Sequence, residues 1–228
     1  MSHPKITNTK DVSSAYIKVL VHGPAGSGKT RLCATTGGKP IIISAESGLL
    51  SLRGNDLDVW EIKTINDLRE AYAFLTDDQS YDWVCIDSIS EIAEVCLAEE
   101  KVINKDPRKA YGELNDTMAE MVRLFRDLPK NIYMSSKQDK VKDETTGQIF
   151  FGPSAPGQKV AASMPYFFDE VFALHTWKDA EGKMQSGLQT QRDTQYEAKD
   201  RSGALDIIEP PNLAHIYNKI ITKLNGVN

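Results

Sequence analysis

Apolar residues along the chain fall into two alternating rhythms. An alternating apolar run over residues 16–21, a continuous one over 40–44 and an apolar run over 81–87 that ends in an acid predict strands, the one over 40–44, bounded by turn residues, being of the kind covered on both faces. Weaker runs over 57–63 and 131–136 predict two more. Between them the spacing changes to three and four. Leu68, Ala71, Tyr72 and Leu75 within 65–75, Leu114, Met118, Met121, Val122 and Phe125 within 111–128, and Leu213, Ile216, Tyr217 and Ile220 within 212–224 mark amphipathic helices. Segment 90–102 reads as another helix, and 29 to about 35 as a short one stopped by Gly37-Gly38. Alternation of strand and helix predicts an α/β fold with a mostly parallel central sheet flanked by helices.

Past residue 158 the rhythm changes. After a short helix near 159–163, strands follow one another over 170–177, 184–191 and 196–199, and the turn at 178–183 makes the first two a hairpin, so the sheet should end in an antiparallel extension. Two stretches have no period. Residues 101–111 predict a basic loop broken by Pro107, and 139–158, rich in glycine and proline, a loop of about 20 residues, a length that inside a compact domain is usually functional or disordered. Polar residues 1–14 predict an arm, loose or ordered by a partner, ahead of a single domain over 15–228.

Composition narrows the partners. A chain of 228 residues, 40% of them hydrophobic, is long enough for one substantial core and short for two. The net charge of −5 excludes coating nucleic acid by bulk positive charge, so any such contact needs a local patch. Cys33, Cys85 and Cys96 lack C-x-x-C spacing and read as buried thiols of a reducing compartment. The histidines show no zinc-ligand spacing. Without a long apolar run or the apolar core of a signal peptide, the expectation is a cytoplasmic protein with no membrane partner.

The chemistry gathers at the strand ends. Gly23-Pro24-Ala25-Gly26-Ser27-Gly28-Lys29-Thr30 fits G-x-x-x-x-G-K-[ST] and lies between a predicted strand and helix, the context this motif needs. Its glycines let successive N–H groups close on an anion, and the helix start adds to that field. Lys29 would reach the β- and γ-phosphates of ATP and the Thr30 hydroxyl a Mg²⁺ ion, with Arg31 at the rim of the same loop. Asp87 ends an apolar strand, where it faces the crevice of a nucleotide expected on the neighbouring strand. It can therefore hold the Mg²⁺, usually through water, or alternatively cap the helix that follows.

The order of strand, phosphate loop, helix, strand ending in Glu46, strand ending in Asp87, strand ending near Gln138, then antiparallel strands resembles the RecA-like ATPases. More narrowly, it resembles the small phage-encoded RecA-like proteins that act as single-strand annealing proteins in recombination. The resemblance covers residues 16–203. It rests on the phosphate loop, on Ile41-Ile42-Ile43-Ser44-Ala45-Glu46-Ser47, on 81–88, on 153–171 and on Lys199-Asp200-Arg201-Ser202-Gly203, which looks like the K-N-R-x-G motif of RadA and DnaB-type helicases with Asp for Asn. It implies that Glu46 positions the attacking water beside catalytic Lys29. Gln138, or its rival Ser136, would sense the γ-phosphate. Lys199 and Arg201 would reach a neighbouring subunit's γ-phosphate in a homo-oligomeric ring or filament. It further implies an ATPase stimulated by single-stranded DNA, in the bacterial host cytoplasm and beside a single-strand-binding protein. Lys105, Arg108, Lys109, Lys140, Lys142 and Lys159 would follow the DNA phosphates, and Phe150 and Phe151 would stack on its bases. Two other readings stay open: a P-loop small-molecule kinase, and an ATP-switched assembly, packaging or partition module.

Overall fold

A computed structural model describes residues 16–226 apart from Ser47 and Glu144; the arm expected over 1–14 lies outside them. Six parallel strands carry the fold: β1 (Lys18–His22), β2 (Pro40–Ser44), β3 (Asp58–Glu61), β4 (Trp83–Asp87), β5 (Asn131–Lys142) and β7 (Glu170–Lys178). They pair in the order β7-β1-β5-β4-β2-β3. β8 (Met184–Gln189) and β10 (Ile208–Glu209) extend the β7 edge antiparallel, and β9 (Lys199–Asp200) pairs with the start of β7. The sheet is therefore mixed and mostly parallel, with β1 at its centre.

Apart from the exposed edge strand β3, the parallel strands are apolar on both faces within the sheet because both faces are covered. Leu20, Ile41, Ile43, Val84, Ile86, Ile132, Met134 and Val171 point to one core, under α2 (Ile65–Asp77), α3 (Ile89–Ile103), α4 (Pro107–Arg126) and α5 (Gln158–Phe167). Val19, Val21, Ile42, Trp83, Cys85, Tyr133, Phe172 and Leu174 point to the other, under α1 (Lys29–Leu32) and α6 (Leu213–Leu224). Odd and even positions thus feed opposite cores, the period of two that a doubly covered strand requires. All three cysteines are buried free thiols. No helix among the described residues is long and apolar enough to cross a membrane.

Local signals explain the element ends. Thr64 caps α2 through a reciprocal pair with Asp67, and Asn212 caps α6 by accepting from His215 N. The phosphate-loop helix is a single α turn that continues as a 3₁₀ turn over Cys33–Thr35.

Three expectations are corrected. First, 101–111 is not a loop: α3 runs to Ile103, and Asp106 caps α4 by accepting from Arg108 N, with Pro107 inside its first turn. Proline there has no N–H to lose and its φ already suits a helix, so Pro107 starts the element it was expected to interrupt. Second, 139–158 is mostly a β-hairpin. β5 continues past the core to Lys142 and pairs antiparallel with β6 (Ile149–Ser154), Lys137 opposite Ser154 and Lys142 opposite Ile149. Asp143 Oδ1 accepts from Thr145 N and Thr146 N, and Gly147 takes φ +73°, which closes the turn. Third, the strand expected over 196–199 reduces to β9 and a bridge between Phe151 and Tyr196.

Candidate active site

The chain leaves β1 through a position that only glycine fits. A Cβ on Gly23 would lie 2.6 Å from the Leu174 carbonyl oxygen of β7 and 2.9 Å from Ser27 Oγ. Gly26 and Gly28 take φ +75° and +103°, and Ser27 N donates to Pro24 O at 3.3 Å to close the loop. This loop walls one side of an open cleft of about 590 Å³, whose other walls include Glu46, Asp87, Glu91, Lys137 and Gln138. A second cleft of about 440 Å³ shares Gly28, Arg31 and Ser51 with it and is lined beyond them by Asn55 and Ser186. Volumes of this size are ordinary for small-ligand clefts.

Lys29 Nζ donates to the loop's own carbonyls, Gly23 O at 2.8 Å and Pro24 O at 3.0 Å. Burial lowers its pKa, while the carboxylates of Asp87 and Glu46 oppose that shift. Tyr133 Oη on β5 donates to Lys29 O at 2.8 Å and fixes the backbone beneath. The Thr30 hydroxyl donates to Asp87 Oδ2 at 2.7 Å, and Ser135 donates to the other carboxylate oxygen. Asp87 is 2% exposed. The helix cap is Ser88, whose hydroxyl accepts from Glu91 N at 3.3 Å, so Asp87 is left to the cleft. The same hydroxyl donates to Glu46 Oε1 at 2.8 Å, which ties the end of β2 to the end of β4.

The Asp87 strand is not the neighbour of the loop strand, as expected from sequence; β5 lies between them. That insertion gives the site two residues the motifs do not mark. Ser135 orients Asp87, and Lys137 enters the cleft wall, ion-paired with Glu91, whose carboxylate raises the lysine's pKa. Both sit where β5 emerges from the core beside β4, so a strand-end search on β5 could have found them.

The remaining expected residues divide. Gln138 lines the cleft, but Ser136 is fully buried and donates to the adjacent Lys137 O. It does not reach the cleft because it lies within the sheet, before β5 emerges at Lys137. Lys199 Nζ is consumed within the chain: it donates to Pro165 O and Phe168 O, both at 2.6 Å, at the end of α5. Arg201 pairs with Asp169 at 3.0 Å, and both side chains are 58% exposed. Lys140 and Lys142 are exposed on the hairpin, whereas Lys105, Arg108 and Lys109 lie at the α3–α4 junction and Lys159 lines a groove between α4 and α5. Phe150 is 9% exposed with the Arg192 guanidinium 4.8 Å from its ring centre, and Phe151 stacks on Tyr196. Phe150 is therefore buried, with Arg192 over one face of its ring.

The donor set suits a hard cation. One hydroxyl and one carboxylate meet at the phosphate loop, and no group of three His, Cys, Asp or Glu among the described residues could hold a metal by itself. Mg²⁺ binds in this way, through one or two protein oxygens, nucleotide phosphates and waters.

Fold and cleft define a P-loop nucleoside triphosphatase of RecA/AAA+-like architecture. The chain belongs to the AAA domain family, whose model matches residues 15–202, and it is an ATP-hydrolysing enzyme. No curated protein matches the sequence. A solved structure, a KaiC-like protein from the hyperthermophilic archaeon Pyrococcus horikoshii OT3, is similar with 18% identity and a TM-score of 0.44 over 80% of this chain and 82% of that one. A likeness at that level says nothing further about this molecule.

Proposed function

We propose that the cleft hydrolyses ATP by positioning and charge neutralisation. Lys29 exchanges its loop carbonyls for the β- and γ-phosphates, Thr30 and Asp87 supply the protein oxygens to Mg²⁺, and Glu46, held by Ser88, orients the attacking water. When bound, the metal neutralises charge developing on the phosphate oxygens. Arg31, Ser51 and Asn55 would face the nucleoside in the adjoining cleft. Lys137 is the chain's own candidate for the cation beside the γ-phosphate. The observation that carries this reading is the pair of hydrogen bonds Thr30–Asp87 and Ser88–Glu46, which meet at the adjacent residues Asp87 and Ser88 and link the phosphate loop to both strand ends. The test is Glu46→Gln: ATP affinity should persist while kcat falls by roughly 10²–10⁴-fold. Unchanged turnover would remove Glu46 from the mechanism.

Oligomer-dependent hydrolysis is a further part of the proposal. It is supported by the exposed Arg201, whose ion pair with Asp169 is of the weak surface kind and can be exchanged for a neighbour's phosphate. Lys199 in this state donates to carbonyls of its own chain, Pro165 O and Phe168 O.

A second reading adds single-stranded DNA. What supports it is the hairpin: β5 runs directly from Gln138 in the cleft wall to the exposed Lys140 and Lys142. Asp139 and Asp143 flank these lysines and dilute their field. Annealing, a single-strand-binding partner and phage origin rest on the family resemblance alone. ATP turnover measured with and without single-stranded DNA separates the readings. Stimulation lost in Lys140→Ala/Lys142→Ala supports the DNA role, and turnover indifferent to DNA leaves an ATP-switched assembly module. Phosphate transfer to an added small molecule would indicate a kinase.

A further inference from the structure

His22 ends β1, immediately before the phosphate loop, and is fully buried. Its Nδ1 lies 3.1 Å from the Gln138 side-chain amide and its Nε2 2.6 Å from the Glu197 carbonyl oxygen. As placed, the amide presents Oε1 to the ring, so two acceptors face one imidazole. A neutral imidazole has a single N–H and satisfies only one of them. A doubly protonated ring would satisfy both, but burial pulls the His22 pKa down to about 4, and the Lys29 ammonium adds to the shift. The ring is thus neutral at physiological pH. A backbone carbonyl cannot donate, so the proton sits on Nε2 and Nδ1 carries a lone pair. The amide must therefore turn its NH₂ toward Nδ1. Oxygen and nitrogen of a glutamine amide are assigned from their hydrogen bonds, and these bonds require the turned orientation.

Gln138 lines the nucleotide cleft with Glu46, Asp87 and Lys137. With its nitrogen engaged by His22, the atom it offers to the cleft is oxygen. We infer that His22 is a positioning residue that holds Gln138 with its amide oxygen facing the cleft, so that Gln138 accepts a hydrogen bond from the attacking water instead of donating one to the γ-phosphate. This inference rests on the hydrolytic reading of the cleft. It makes Gln138 a second acceptor beside Glu46: two acceptors fix both hydrogens of a water and aim its lone pair.

The orientation can be tested apart from activity. Long-range ¹H–¹⁵N correlation spectra of the full chain at pH 7 report the tautomer of each histidine, and His22→Phe assigns the resonance by its loss. The expected result is His22 protonated on Nε2 with a bare Nδ1. An Nδ1–H tautomer overturns the inference whatever the ATPase rate. Steady-state kinetics supply the second arm. In His22→Asn the Oδ1 takes the place of Nδ1 and still accepts from Gln138, whereas His22→Gln reaches the Glu197 carbonyl and offers Gln138 nothing. We expect kcat to fall about tenfold or more in His22→Gln, to stay within about threefold in His22→Asn, and KM to hold in both. In a Gln138→Ala background the His22→Gln loss should vanish. Equal losses in the two His22 variants, or losses that persist without Gln138, would mean that His22 only supports the loop, and would refute the inference.

Discussion

Glu170 makes the stability of this protein depend on pH in a predictable window. It opens β7 with 3% exposure, opposite Asp200 of β9. One of its oxygens accepts from Ser202 N at 3.3 Å, and the other has no donor among the described residues. Two carboxylates facing each other, with the nearby Lys199 ammonium donating to the carbonyls of Pro165 and Phe168, cannot both stay ionised cheaply. A proton on Glu170 resolves this by donating to Asp200, whose own oxygens accept from Ser202 Oγ, Gly203 N and Leu205 N. Burial first, and Asp200 second, raise the Glu170 pKa from 4.5 to about 8, with Asp169 adding a little.

The sign follows from linkage. Unfolded, Glu170 loses its proton near 4.5; folded, it keeps it to about 8. Between those values the folded state binds the extra proton, so stability falls as pH rises, by about 1.4 kcal/mol per pH unit. His22 works in the opposite sense: its pKa drops from 6.5 to about 4, so it adds stability as pH rises between those values. The two slopes oppose each other from about 4.5 to 6.5, and from about 6.5 to 8 that of Glu170 is no longer offset by His22. Over that last interval the loss is roughly 2 kcal/mol. Urea unfolding at pH 6.5 and 8 measures it. Glu170→Gln keeps a donor for Asp200 and an acceptor for Ser202 N but cannot titrate, so its stability should be level across the interval and exceed wild type at pH 8. An equal slope in the variant, or no slope in wild type, refutes the assignment.

Gly23→Ala places a Cβ against the Leu174 carbonyl oxygen and should cost about 1–3 kcal/mol of stability together with nucleotide affinity, read by thermal melts with and without ATP. Lys199→Met removes the donor to two carbonyls at the end of α5; thermal melts should show a loss of about 1–3 kcal/mol, while kcat per folded molecule holds. Lys137→Met should lower kcat about 10²-fold with little change in KM, and Arg201→Ala should do so only if turnover per subunit rises with protein concentration.

How much of this was readable in the sequence depended on how local the cause was. The phosphate loop is specified by its own glycines, and the strand runs of β1, β2 and β4 by burial on both faces, so Thr30 could be placed by the loop motif and Glu46 and Asp87 by their positions at strand ends. The hairpin could not. Beyond Ser136 its β5 strand is largely exposed, so Lys137 to Lys142 carry no apolar alternation, and their pairing with β6 is fixed by the Asp143 turn and the register at Ser154. The surroundings of Lys199 and Phe150 were hidden for a related reason: the α5 carbonyls and Arg192 that lie against them are far away in sequence. Ser135 and Lys137 went unmarked because the strand order that inserts β5 between β1 and β4 is a long-range fact.

β5 begins in the core at Ile132, passes Asp87 at Ser135, forms the cleft wall at Lys137 and Gln138, and ends in solvent about 13 Å further on, at about 3.3 Å per residue. At the point of emergence Ser90 grips both strands of the hairpin, accepting from Lys137 N and donating to Ser154 O. The hairpin is therefore held at two places, at its root by Ser90 and along β6 by backbone hydrogen bonds with Gln195 and Glu197, so one stretch of backbone joins the wall of the nucleotide cleft to the segment that leads into β9.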